Sequence, residues 1–313
     1  MTTHLNVRSR GVRLAGLVAT VLMTTIGFAA TPTASGQDAG VSANTADQRV
    51  VYGQKVTVRG RVTGARRGEL VRLEYSARGR GFRAVKRTRT EKGGRYVLRY
   101  KPVRTGRLRV RAGEASASAA TSASRARRVK VAARIATAER EHVKSGRRAK
   151  VGGRLRPGFA GRKVLIQIRK KGRWATVDRD RTAKKGRFSG AWRVRKGAGR
   201  YRTRVVFPGD ARNTRRIDKT RLFVYRAGQA SYYGPGFYGN RTACGQTLTP
   251  GTVGVANRWL PCGTKVTFRY RGRTVTAPVI DRGPYHGSRV WDLTYALKRK
   301  LGFPDVGVVW STR

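Results

Sequence analysis

Along the middle of the chain, apolar residues alternate with arginine or lysine. In VTVRGRV (56–62) and RLRVR (107–111) the apolar side chains fall at every second position, with cationic or polar ones between them. A period of two puts successive side chains on opposite faces of an extended strand, so these stretches predict strands with one buried face and one wet face. Glycine-containing turns separate the short strands, and no helical periodicity intervenes. The pattern predicts a mainly β chain.

The pattern also repeats. GQKVTVRGRV from Gly53 matches GRRAKVGGRL from Gly146, and GELVRLEY from Gly68 matches GRKVLIQI from Gly161. GGRYVLRY from Gly93 matches KGRFSGAW from Lys185, and TGRLRVRA from Thr105 matches AGRYRTRV from Ala198, with Phe82 opposite Trp174. The offset stays at 92 or 93 residues, which marks a tandem duplication. Residues 47–131 and 132–226 are the two copies, and each is expected to form an antiparallel β-sandwich. In pattern they resemble the immunoglobulin-like modules that exported bacterial proteins use as spacers or adhesive units. Residues 113–138 between them read partly as an Ala/Ser spacer, although VKVAA can complete the first sandwich. RAGQ (226–229) reads as a short join to the last unit, residues 229–313.

The N-terminus reads as a targeting segment. Arg8, Arg10 and Arg13 precede an apolar run from Leu14 to about Ala30, and small residues stand at Gly27, Ala29 and Ala30. Residues 1–30 therefore read as a secretory signal and 31–46 as a disordered linker. The run is interrupted by threonines and falls short of the roughly 20 apolar residues that a membrane span needs. No other segment could span a membrane. Two cysteines, Cys244 and Cys262, fit export: an even pair in an exported chain is most simply a disulfide, worth about 3 kcal/mol for a loop of this size. Neither a Cys-x-x-Cys nor a Cys/His cluster is present, so no zinc site and no cofactor are expected. No cysteine stands near the cleavage site to carry a lipid, and the expected location is secreted and cell-wall associated, as a monomer.

Charge narrows the partners. The chain holds 71 Lys and Arg against 15 Asp and Glu, a net +56. Most of the excess lies in residues 47–229, where 56 basic and 11 acidic residues leave +45. Outward faces of two exposed sheets need charged residues in any case. A surface this cationic also suits phosphate-rich wall polymers or an anionic membrane surface. Nucleic acid is not the expected partner: phosphates alone could attract it, but no recognition helix, zinc finger or RNA-binding aromatic motif is present.

The last unit reads differently. It carries ASYYG (230–234), GNRTACG (239–245), ANRWLPCGT (256–264), VIDRGP (279–284) and WDLT (291–294), in that order. VTFRY and TVTAPVI read as strands around the turn RGR (271–273), Leu293 to Leu301 as a short helix stopped by Gly302 and Pro304, and VGVVW (306–310) as a closing strand. Together the five motifs resemble the rare lipoprotein A-like double-psi β-barrel, a bacterial relative of the barwin and expansin barrels. That resemblance covers about 85 residues and implies a six-stranded barrel with one short helix.

It also implies a function. Members bind peptidoglycan glycan strands, and some cleave them as lytic transglycosylases, without water, leaving a 1,6-anhydro sugar. One carboxylic acid can protonate the leaving oxygen and then, as carboxylate, take the proton of the attacking 6-hydroxyl. The family's groove aspartate matches Asp281, expected here as the acid/base, and the aspartate of its later motif matches Asp292, expected to support it. Asp292 also sits where a helix N-cap belongs, and Asp281 could merely open a turn or pair with an arginine. Arg282, if paired with that carboxylate, would oppose a general-acid role. The resemblance further suggests Tyr233, Gln246, Asn257, Trp259, Arg282, Tyr285 and His286 as glycan contacts, with Trp259 and Tyr233 stacking on sugar faces. Two departures stand out. Asn257 replaces a histidine common in catalytic members, and Gln246 replaces a glutamate; neither titrates. The alternative reading is thus a non-catalytic, expansin-like protein that binds and tethers the wall.

Overall fold

The computed structural model describes residues 40–313, except 46–48, 78–79, 114–121, 138–139 and 196. The expected signal at 1–30 and residues 31–39 and 46 of the expected disordered linker lie outside the described residues. Residues 40–45, however, are not a free linker: Val41 bridges to Val62 and Asn44–Thr45 pairs with Val58–Arg59 as an edge of the first sandwich. The described chain is mainly β, with one α-helix and three hydrophobic cores in chain order.

In the first sandwich, strands Asn44–Thr45, Val56–Arg61 and Arg95–Tyr100 form one sheet. The facing sheet runs in the order Arg49–Val51, Arg127–Ala132, Gly106–Ala112, Leu70–Ala77, Arg83–Arg89. The alternating apolar positions supply the core: Val56, Val58, Leu73, Leu98, Leu108, Val110 and Val129 are all buried. The VKVA stretch does complete this sandwich, pairing with both Gly106–Leu108 and Arg49–Val51.

The second sandwich repeats the layout. Arg187–Arg193, Arg148–Arg156 and Arg134–Thr137 form the smaller sheet. Arg173–Arg181, Lys163–Lys170 and Gly199–Phe207 lead in the larger one to a long strand, Arg216–Tyr233, with Arg140–Lys144 parallel beyond it. Both copies bulge at the same place, between Leu73 and Glu74 and between Ile166 and Gln167. One register departs from the sequence alignment. Glu74 lies opposite Arg109 but Gln167 lies opposite Arg204, so Arg204, not Arg202, is the counterpart of Arg109. A slip of two residues keeps every side chain on its original face, and a period-two pattern cannot reveal it.

A loop of the second sandwich locks onto the first. Asn213 Nδ2 donates to the carbonyls of Val103 at 3.0 Å and Val131 at 3.3 Å, and Thr105 N donates to Arg212 O at 2.6 Å. Buried Arg162 braces this loop from below. Its Nε lies 2.9 Å from Asp210 Oδ2, its Nη2 2.9 Å from Asn213 Oδ1, and its guanidinium 4.4 Å from the Phe207 ring centre.

The expected join at RAGQ is not a join. Residues 216–224 pair with Phe207–Gly199, and the same strand then continues through Arg226–Ala230 against Ser311–Gly307 and through Ala230–Tyr233 against Trp291–Thr294. The apolar alternation pauses at 226–229, but ladder bonds come from the backbone and do not need it. Gly228 leaves room for the Trp291 ring, whose edge would lie 3.3 Å from a Cβ there.

Six strands close the C-terminal barrel. From the end of the long strand the order is Trp291–Thr294, Val255–Ala256, Arg273–Asp281, Lys265–Tyr270 and Gly307–Ser311, which returns to the long strand. Phe268 packs edge-on to Trp291 at 5.1 Å between ring centres, beside Val266, Ala277, Val279, Leu293 and Val309. The helix Tyr295–Leu301 covers one side with Leu297 and Leu301 and stops at Gly302 in the left-handed region. Its N-cap is Thr294, whose Oγ1 accepts from Leu297 N at 3.3 Å. Asp292 is therefore not the cap: it lies within the strand Trp291–Thr294, and the helix starts two residues later than the apolar pattern suggests.

Burial pushes the Asp210 carboxyl up. The Arg162 hydrogen bond, the Asn213 and Arg212 amides and the guanidinium charge outweigh burial and hold it below its ordinary value. Asp210→Ala should cost about 2–3 kcal/mol in urea unfolding at pH 7; this is less than for a fully buried pair because Asp210 is 30% exposed. The depressed carboxyl stabilises the fold above the unfolded value of about 3.9 and loses that contribution as pH falls below it. The gap between wild type and variant should therefore close in acid.

Candidate active site

Ala256, in the two-residue strand Val255–Ala256, lies between two aspartates. It pairs with Asp281 on one side and with Asp292 on the other, and Ser231 of the long strand pairs with Asp292 beyond. Two strand spacings put the aspartate backbones about 10 Å apart, with only a methyl group between them. The space above is a cleft of about 400 Å³, reached by both carboxylates and by Tyr233, Arg282, Tyr285 and His286.

The two carboxylates live in different surroundings. Asp281 ends its strand half-buried, and its Oδ1 accepts from Ala243 N at 2.9 Å and Arg282 N at 2.8 Å. Asp292 is also half-buried, and its buried Oδ1 has no hydrogen-bond partner. Burial raises the Asp292 carboxyl above its ordinary value and Asp281 adds to this, while Ser231 and the Arg289 guanidinium pull the other way. The Tyr233 hydroxyl is also buried with no bond of standard geometry. Burial first, and then the Asp281 and Asp292 charges, push it well above the phenol range, so it remains a neutral donor between them.

Arg282 does not pair with the Asp281 carboxylate. Its Nη1 donates to the main-chain carbonyls of Leu260 at 3.1 Å and Asn257 at 3.3 Å. The Cys244–Cys262 disulfide, with Cα atoms 5.8 Å apart, fixes the same corner. Cys244 N donates to Ile280 O at 3.2 Å and Gly263 N to Val279 O at 2.8 Å, so both flanks of the bridge grip the strand that presents Asp281.

Three expected contacts stand elsewhere. Asn257 is 2% exposed and spends its side chain internally: Nδ2 donates to Val290 O at 3.0 Å, and Oδ1 accepts from Trp259 N at 3.1 Å and Leu260 N at 2.9 Å. A buried amide is stable only with such partners; they occupy Oδ1 and one Nδ2 hydrogen, and the side chain lies outside the cleft lining. Gln246 is exposed in the turn that follows Thr242, outside the cleft lining. Trp259 is 69% exposed, also outside the lining, with the Arg258 guanidinium 4.9 Å from its ring centre. The aromatic walls are instead Tyr233, Phe237, which is 56% exposed, and Tyr285. Arg289, which bears on Asp292, was not singled out from sequence. One arginine among 71 basic residues gives no signal of its own.

Among the described residues, no group of three or more His, Cys, Asp or Glu is arranged to hold a metal, and no helix is long and apolar enough to cross a membrane.

A family model described as "Lytic transglycolase" matches residues 225–310. Over 85 residues the chain is 44% identical to the probable endolytic peptidoglycan transglycosylase RlpA of Synechocystis, covering 26% of each protein. It is 41% identical over 87 residues to the protein of the same name from Aquifex aeolicus, covering 27% of this chain and 38% of that one. The chain thus spans well under half the length of these curated relatives. Among solved structures, the Streptomyces papain inhibitor aligns with 28% of this chain and 94% of its own at 27% identity and a TM-score of 0.24. The D0-D1 domain of intimin aligns with 59% of this chain and 99% of its own at 12% identity and a TM-score of 0.25.

A buried aspartate with a raised pKa lowers stability as pH rises from the unfolded value toward the folded one. Asp292→Asn should therefore melt above wild type at pH 7, with the difference vanishing below about pH 3.9; an equal or lower Tm at pH 7 would contradict this. Reducing the Cys244–Cys262 bridge should cost about 3 kcal/mol of barrel stability, read as a lower urea midpoint in near-UV circular dichroism.

Proposed function

We infer that this chain, whose C-terminal unit is an RlpA-like double-psi β-barrel, is an exported wall protein that binds peptidoglycan glycan strands in its barrel cleft and cleaves them as a lytic transglycosylase. The observation that carries this reading is the aspartate pair in unlike surroundings. The names of the relatives supply the substrate class.

Chemically, the two environments divide the labour. Asp292, whose burial favours the neutral acid, is the group placed to give a proton to the glycosidic oxygen as the bond to the anomeric carbon breaks. The resulting carboxylate then takes the proton from the 6-hydroxyl as that oxygen attacks the same carbon, closing a 1,6-anhydro ring without water. Asp281, held by two backbone N–H groups, presents negative charge toward the cation-like sugar ring. The neutral Tyr233 hydroxyl donates to the substrate between them. This division reverses the one expected from the motifs, which placed the acid on Asp281.

A second reading, non-catalytic expansin-like binding, draws support from the internal role of Asn257 and the position of Gln246 outside the cleft. Neither supplies a second titrating group.

Purified protein incubated with peptidoglycan sacculi should release anhydro-muropeptides detectable by mass spectrometry. Asp292→Asn should reduce the rate at least about a hundredfold, while pelleting on sacculi persists. If Asp281→Asn abolishes release and Asp292→Asn does not, the roles are reversed. No products from wild type, with pelleting retained, would leave the binding reading in place.

A further inference from the structure

The second sandwich carries a cationic trough that the first, despite its shared ancestry, does not. On the outer face of its larger sheet, cleft residues Arg169, Lys219 and Arg221 surround a hollow of about 500 Å³. A second hollow of about 620 Å³ shares Arg202 and Arg221 with the first and runs to the barrel, where Lys265 lines it. No Asp or Glu lines either hollow, and none of the ion pairs found among the described residues uses these cations.

The duplication provides an internal comparison. Arg109 and Arg204 are counterparts, stacked on Phe82 at 4.2 Å and on Trp174 at 4.1 Å. Arg109 Nε, however, meets the Glu74 carboxylate at 2.6 Å, whereas Arg204 Nε meets the neutral Gln167 Oε1 at 2.7 Å. Likewise Arg107 pairs across strands with Arg128, and the hollow beside them is also lined by Asp210, which the docked loop of the second sandwich brings there while bonded to Arg162. The matching pair in the second copy, Arg202 opposite Arg221, has no such acid. Like charges directly opposite on neighbouring strands are destabilising. The second copy keeps the arginine pair and has neutral Gln167 where the first has Glu74.

We propose that this trough, from Arg169 and Lys219 through Arg202 and Arg221 to Lys265, binds a linear phosphodiester polymer of the anionic wall type. The two joined hollows repeat positive charge along their length, which suits a thin, flexible chain with regularly spaced phosphates. Single-stranded nucleic acid gains affinity by stacking bases on open aromatic faces, and Arg204 occupies a face of Trp174. The site lies outside the barrel cleft and stands whether or not the barrel cleaves glycan.

The test is binding of the full chain to poly(glycerol phosphate), with single-stranded DNA and anionic vesicles as comparison probes, across a range of salt. Arg202→Gln/Arg221→Gln should weaken binding at least tenfold and reduce the salt slope by about 1.4, two phosphate contacts' worth. Arg107→Gln/Arg128→Gln removes the same charge from the first sandwich and should change affinity less than threefold. Gln167→Glu, which installs the acid of the first copy, should also weaken binding, and melting curves check that each variant is folded. Equal losses from the two double variants would show a general charge effect and overturn the site. Tighter binding of DNA or vesicles through the same two arginines would overturn the assigned partner.

Discussion

Backbone hydrogen bonding along one strand, Arg216–Tyr233, ties the second sandwich to the barrel. Its first half completes a sandwich sheet, and its second half closes the barrel between Gly307–Ser311 and Trp291–Thr294. An uncut ladder leaves no hinge residue between the two cores, so the trough and the aspartate cleft sit on one framework. Lys144 strengthens the junction by stacking on Trp310 at 4.1 Å. The first sandwich is joined differently, through the Asp210–Asn213 loop and the buried Arg162, where specific hydrogen bonds rather than a shared sheet fix the contact.

The cleft shows what a small closed barrel does to the acids on its rim. Six short strands leave little interior, and Phe268, Trp291 and Leu293 fill it. Polar side chains at the strand ends are then left at the rim, half-buried. Burial raises Asp292 there against the pull of Ser231 and Arg289, and Tyr233 is kept neutral beside it. A buried carboxyl oxygen with no partner costs stability.

The two sandwiches share topology, bulge position and even the arginine stacked on an aromatic ring, yet differ where one carboxylate became an amide. Glu74 neutralises its neighbours; Gln167 keeps the hydrogen bond and leaves the charge. Duplication thus preserved the packing while electrostatics on the exposed face was free to change.

Period-two alternation determined the strands, the duplication and the mainly β architecture, because burial of one sheet face imposes that period on the sequence. The five motifs determined the barrel and brought forward both aspartates. Tertiary structure alone decided the rest. A two-residue strand such as Val255–Ala256 is too short to show a period, yet it places Asp281 beside Asp292. The sequence could not show that RAGQ continues a strand, since its pairing partners lie about 80 residues downstream or in the other core. Nor could it show that Asn257 faces inward, that Thr294 rather than Asp292 caps the helix, or that Arg282 chooses carbonyls over a carboxylate. Those outcomes depend on which groups the closed barrel leaves dry, and burial is a property of the assembled fold rather than of any local stretch of chain.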